Sequence, residues 1–173
     1  IWIDSVYGGS SFVAVAFSST SIANTSADGI TWSAVNLSAT TTWASVNYSG
    51  TSFVAIGGAA ATSIASSSTD GITWVSRTLP VAATWRSITY GNGSFVAVAN
   101  TSSYVASSTN GITWTQTTLP VSAPWKSVTY GNGLFVAIAG NNINTAGTAG
   151  TIAAYSTNGS TWTASTLPVS ALW

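Results

Sequence analysis

Asp4, Asp28, Asp70, Arg77, Arg86 and Lys126 carry all the side-chain charge of this 173-residue chain, 3 % of its residues. General acid–base chemistry needs paired carboxylates or a histidine within hydrogen-bond reach of the reacting group. The chain has no Glu, His or Cys, so thiolates, disulfides and His/Cys metal sites are out of reach. Three carboxylates are too few for a strong calcium cage. Asp28 and Asp70 occupy the same place in a repeated segment, which puts them apart in space as turn residues. The expectation is a protein that is not an enzyme and holds no metal and no cofactor. Zero net charge and the lack of a basic run argue against nucleic acid as a partner. No apolar run approaches the ~18 residues of a membrane span.

What remains for recognition is aromatic and amide chemistry. Four of the nine tryptophans close a seven-residue segment that occurs four times. Its copies are Ser26, Asp28 and Trp32; Ser68, Asp70 and Trp74; Ser108, Asn110 and Trp114; and Ser156, Asn158 and Trp162, with Gly after each Asp or Asn. An Asp-Gly or Asn-Gly pair between β-prone residues predicts a tight I′ hairpin turn, with φ > 0 at both central residues. The Ser and Asp/Asn side chains can bond nearby backbone groups. All twelve are read as structural turn residues.

These turns belong to a longer repeat that opens at Trp2, Trp43, Trp85 and Trp125, with Trp173 opening a fifth copy. From each opening Trp to a Phe is ten residues, and from each turn Ser to the next opening Trp is seventeen. All length variation lies between the Phe and the Ser. Each copy reads as four short strands, A to D, with apolar residues on both faces; in the third copy they fall at about 85–90, 94–99, 104–108 and 112–117. A four-stranded meander of about 40–45 residues with aromatic markers is the pattern of a β-propeller blade. The fold class is therefore all-β: a β-propeller of four-stranded antiparallel blades, ahead of a β-solenoid. One repeat domain spans residues 1–173, with blades at about 2–42, 43–84, 85–124 and 125–172. Ile1-Trp2 and Leu172-Trp173 stand at the same phase, so no strand is displaced as a clasp. This predicts a four-blade arc of a larger ring, completed by further sequence or by another chain, over a closed four-bladed propeller. The start at Ile1 suggests a removed leader or a window of a longer chain.

The S-x-D/N-G-x-T-W segment resembles the Asp-box of bacterial neuraminidase-type repeats, which joins the third and fourth strands of a blade. Each copy is one residue shorter between Asp/Asn and Gly. The wider unit, Y-G-N-G-x-F-V-A-V followed by the turn, is similar to repeats of phage tail-associated and secreted bacterial proteins. A sialidase-like fold is implied, but a sialidase's three arginines and Tyr/Glu pair have no counterparts here, since the chain has two arginines and no Glu.

Two places are candidates for binding. Asn141, Asn142, Asn144 and Thr145 lie in the longest connection between strands B and C, where amides and hydroxyls suit sugar hydroxyls. Trp43, Trp85 and Trp125 open the innermost strand, where a ring could stack on a sugar or pack between blades. Two functions follow. One is a non-catalytic recognition module for a glycan or host surface, on a virion tail or cell surface. The other is a purely structural or assembly domain of an extracellular or virion particle, with other copies or chains as partners. Scarce charge and abundant Ser and Thr favour an extracellular, cell-surface or virion setting.

Trp74→Ala should cost about 3–5 kcal/mol, as for a large core aromatic. Asp70→Asn should be nearly silent, because Asn already fills that position at Asn110 and Asn158. Equilibrium urea unfolding checks the pair, and comparable losses would contradict it.

Overall fold

The computed structural model describes residues 1–140 and 151–168. Their regular structure is all strand. The first blade is β1 (Trp2–Gly8), β2 (Ser11–Ala16), β3 (Thr20–Ser26) and β4 (Ser33–Thr41). Next come β5 (Trp43–Tyr48), β6 (Phe53–Gly57), β7 (Thr62–Ser68) and β8 (Val75–Gly91). Then follow β9 (Ser94–Asn100), β10 (Ser102–Ser108), β11 (Thr115–Ala123), β12 (Trp125–Gly131), β13 (Leu134–Ala139), β14 (Ile152–Ser156) and β15 (Thr163–Thr166).

Neighbours in sequence are neighbours in the sheet throughout, and every pairing is antiparallel. β8 is shared: Val75 to Ala83 pairs with β7, and Thr84 to Gly91 pairs with β9. It is strand D of the second blade running straight into strand A of the third. The chain is thus a β-propeller segment of four meander blades. Strand D starts later than its sequence suggests. In the third blade it begins at Thr115, because the N–H groups of Ile112 and Thr113 donate to Asn110 Oδ1 at 2.8 and 2.9 Å and stay outside the ladder.

The blades stack through three apolar seams. Val13, Val15 and Ala23 of blade 1 meet Trp43, Val46, Phe53 and Trp74 of blade 2. Val54, Ile56 and Ala65 meet Trp85, Ile88 and Phe95 in the next seam. Val96, Val98 and Val105 meet Trp125, Val128, Phe135 and Trp162 in the last. Both faces of the middle blades are therefore buried, which explains why their strands read apolar on both sides. Among the described residues, no buried cluster joins blade 4 to blade 1, so the four blades form an open arc.

The A strands β1, β5, the second half of β8, and β12 lie side by side. Asp4 Oδ2 accepts hydrogen bonds from Ser45 Oγ at 2.6 Å and Val46 N at 2.9 Å. Ser45 Oγ accepts from Ile88 N at 3.4 Å, and Ser87 Oγ from Val128 N at 3.2 Å. In the first three blades the residue two places after the opening Trp thus ties its strand to the next.

Glycine sets how closely the blades approach. The Tyr48 ring lies on Gly8 and the Tyr130 ring on Gly91, so a Cβ at either glycine would collide with the ring. Gly131, at the same phase in blade 4, has nothing within 4 Å of a Cβ among the described residues. Gly91→Ala should therefore cost about 1–3 kcal/mol by overpacking, and Gly131→Ala under about 0.5 kcal/mol. Urea unfolding of the two variants tests the seam, and equal losses would contradict it.

Candidate functional site

The four repeated turns share one hydrogen-bond pattern. In the second, Ser68 Oγ donates to Asp70 Oδ1 at 2.8 Å and accepts from Gly71 N at 2.8 Å. The same Oδ1 accepts from Ile72 N at 2.8 Å and Thr73 N at 2.7 Å. Asn158 Oδ1 does likewise for Ser160 N and Thr161 N, at 2.9 and 2.8 Å. These are side-chain-capped loops and not the I′ turns expected from the dipeptide. Only the glycine has positive φ, 73° at Gly71 and 68° at Gly111, and neither Asp nor Asn joins it. An acceptor that gathers two N–H groups removes the need for a two-residue turn. The I′ geometry occurs instead between strands A and B, at Asn92-Gly93, with φ of 45° and 74°.

Backbone donation from Thr31 and Ile30, then the Ser26 hydroxyl, holds the Asp28 carboxyl down at about 2. Asp70 is held at about 2 by Thr73, Ile72 and Ser68. Trp74 and Trp162 finish their turns by donating Nε1 to the Gly71 and Gly159 carbonyls, at 3.2 and 3.3 Å. Ser26, Asp28 and their equivalents thus act on their own loops, as do Trp74 and Trp162, whereas Trp114 Nε1 is buried without a partner and Trp32 is partly exposed.

Trp43, Trp85 and Trp125 are 0 % exposed. This corrects their candidacy as sugar-stacking rings: each lies inside a seam. Trp43 Nε1 donates across the seam to Thr20 O at 3.0 Å, and Trp125 Nε1 to Val121 O at 3.3 Å. Asn141, Asn142, Asn144, Thr145 and Trp173 lie outside the described residues.

Arg86 and Lys126 look scattered in sequence, yet the fold brings them together. Each follows an opening Trp, and each lies on one of two adjacent A strands, β8 and β12. Desolvation lowers the Lys126 pKa, and the Arg86 charge lowers it further. The Arg86 guanidinium carbon stands 5.9 Å from the centre of the Phe17 ring, which lies just past β2. Arg86 Nε is buried without a hydrogen-bond partner, as is Asn100 Oδ1 at the end of β9. The Lys126 stem crowds Gly140, where a Cβ would lie 2.7 Å from Lys126 Cγ. The sequence signal was the shared phase, one residue after the Trp. Arg77 is different: its Nε donates to Ser67 Oγ at 2.9 Å, on the D half of β8. Two cations with unspent donors, beside an aromatic face, can hold an anion. Among the described residues no cluster of three or more His, Cys, Asp or Glu forms a metal site, and no helix is long and apolar enough to cross a membrane.

No protein-family model and no curated protein matches the chain. Solved structures do, and they are β-propellers. Virginiamycin B lyase from Staphylococcus aureus is similar over 96 % of this chain and 56 % of its own, at 13 % identity and TM-score 0.78. YCF48 from Cyanidioschyzon merolae is similar over 98 % of this chain and 57 % of its own, at 17 % identity and TM-score 0.68. The GH74 enzyme of Niastella koreensis covers 96 % of this chain with 24 % of its own, at 20 % identity and TM-score 0.62. The chain spans about half the length of the first two. These likenesses carry the fold. They also correct the expectation that the chain is not an enzyme: structures similar to it include a lyase and a glycoside hydrolase, so few ionisable residues do not settle the matter.

The capped turns make stability acid-sensitive in a defined window. Asp28 and Asp70 sit below their ordinary value of 3.8 when folded. A lowered carboxylate contributes stability that is present above the unfolded pKa and lost as pH falls through the folded one. The urea midpoint should therefore drop between about pH 4 and pH 2, and an Asp28→Asn, Asp70→Asn double variant should flatten that drop. An unchanged pH slope in the variant would contradict the role of the carboxylates as acceptors.

Proposed function

We propose that the chain is a recognition module that binds an acidic glycan of a surface, on a virion or a cell. Arg86 and Lys126 are the cationic contacts and Phe17, partly exposed, is the apolar wall. The observation that carries this reading is the pairing of two of the chain's three cations. Placing like charges side by side with partial desolvation opposes folding, and such sites are candidates for function. A carboxylate on a sugar would relieve the repulsion and use the free Arg86 donors, while the ring face suits the sugar's C–H surface. The hydroxyl-rich composition supports an extracellular or virion setting. The repeated Ser-x-Asp/Asn-Gly loops support membership of the Asp-box group, in a shorter form.

A second reading, a structural or assembly domain of an extracellular or virion particle, is favoured by the near absence of charge and the hydroxyl-rich composition. Retention on immobilised glycans decides between the two. The recognition reading expects retention on carboxylate-bearing glycans, weakening with salt, and no retention on their neutral counterparts. Arg86→Ala and Lys126→Ala should each weaken it about tenfold or more, the scale of a lost charged hydrogen bond. Full retention by the double variant would remove the Arg86–Lys126 site from consideration.

A further inference from the structure

We propose that Lys126, the only lysine of the chain, is a reactive amine that forms an imine with a 2-oxo acid whose carboxylate lies against Arg86. This rests on the anion-binding reading of the Arg86–Lys126 pair and adds a covalent step to it.

The repeat shows how the place is built. The residue after each opening Trp is Ile3, Ala44, Arg86 or Lys126, and the residue five after each strand-B Phe is Phe17, Gly58, Asn100 or Gly140. The backbone brings these two positions together. Phe17 N donates to Ile1 O at 2.7 Å, Gly58 N to Thr42 O at 2.6 Å and Gly140 N to Pro124 O at 3.0 Å, while Asn100 pairs with Thr84. Blade 2 is small at both positions: a Cβ on Gly58 would lie 2.5 Å from Ala44 Cβ. Neither position of blade 2 therefore puts a long side chain between blades 1 and 3, and the Arg86 guanidinium reaches to 5.9 Å from the Phe17 ring centre.

Lys126 is fixed on the next A strand. Gly140 gives its stem a backbone to lie on, with Lys126 Cγ and Cε at 2.7 and 2.9 Å from where a Cβ would stand. Ser87 Oγ accepts from Val128 N at 3.2 Å, so the strands are tied one residue past Arg86 and two past Lys126. The three carboxylates are committed elsewhere: Asp4 bonds Ser45 and Val46, and Asp28 and Asp70 cap their own loops. Partial burial, and then the Arg86 charge, lower the Lys126 pKa. More of the amine is then unprotonated, and the unprotonated amine is the nucleophile.

A 2-oxo acid matches these parts. Its carboxylate takes the donors of Arg86, whose Nε is buried without a partner. Its carbonyl carbon, bonded to that carboxylate, then faces the Lys126 side, and its apolar remainder faces Phe17. The Nζ lone pair adds to the carbonyl carbon, and the C=O π pair moves to oxygen. The resulting carbinolamine loses its hydroxyl and a proton from nitrogen as water, which leaves a C=N bond. Amine and ketone become imine and water, with no oxidant or reductant.

Reductive trapping on the full chain tests this. Pyruvate is the probe, cyanoborohydride reduces the imine, and peptide mapping by mass spectrometry locates the adduct. Lys126 should be trapped about tenfold or more faster than Nα-acetyllysine in the same solution, as for a positioned reactant. The preference for pyruvate over acetone, its neutral counterpart, should be larger at Lys126 than at Nα-acetyllysine. In Arg86→Gln, folded by circular dichroism and urea midpoint, that preference should fall about tenfold, the scale of a lost charged hydrogen bond. Trapping no faster than Nα-acetyllysine, or the same preference at both amines, would overturn the proposal without any variant. So would an unchanged preference in folded Arg86→Gln. Glycan retention, measured with no carbonyl compound present, reads the two ideas apart. Retention without trapping removes the covalent step alone, and trapping without retention removes the glycan alone.

Discussion

The structure depends on the packing of one blade's Val-x-Val or Val-x-Ile pair against the next blade's opening tryptophan. Trp43, Trp85 and Trp125 each close a seam, and each removes roughly 150–250 Å² from water. At ~25 cal/mol per Å² that is at most about 4–6 kcal/mol apiece. A single meander with two apolar faces cannot stand in water, and stacking is what covers them. The glycines follow from this. A tyrosine ring can lie on a neighbouring strand at Gly8 and Gly91 because no Cβ intervenes. Some polar atoms within the stack are served locally: Ser66, fully buried, donates to Val75 O at 3.3 Å and shares a 2.8 Å bond with Ser38 Oγ, whereas Trp85 Nε1 is buried without a partner.

The scarcity of charge reads as a consequence of the same stacking. Faces buried on both sides leave little room for ionised groups, and the ones present have defined duties. Asp28 and Asp70 gather loop N–H groups, as Asn110 does in their place. Asp4 ties two A strands. Arg77 is held by Ser67. Arg86 and Lys126 alone remain beside each other with capacity to spare, which is why they and not the tryptophans are the candidate contacts.

Much of the fold was legible because the repeat fixes the phase. Ten residues from Trp to Phe and seventeen from turn Ser to Trp place strands A, B and C closely and locate the capped loop. Strand D slipped, since the sequence does not show that Asn110 withdraws the Ile112 and Thr113 N–H groups from the ladder. The I′ assignment went to the wrong turn for the same reason: a dipeptide rule counts Asp-Gly but not an acceptor beside it. The candidate site was less legible. Alternation along a strand says that Trp85 and Arg86 point opposite ways, but not which of them is buried in a seam. The proximity of Arg86 and Lys126 comes only from the sideways stacking of A strands forty residues apart. Nor does a repeat alone show which copies lie at an uncovered face: Trp2 and Trp43 share a phase and differ wholly in burial.

Hydroxyl-radical footprinting of the tryptophans, read residue by residue by mass spectrometry, addresses that stacking in a single experiment. In the dilute folded chain, the exposed Trp2 and Trp32 should oxidise rapidly while Trp43, Trp85 and Trp125 stay protected. Rapid oxidation of Trp43, Trp85 or Trp125 in the folded chain would contradict this, because the tryptophan seams could not then be what holds the blades together.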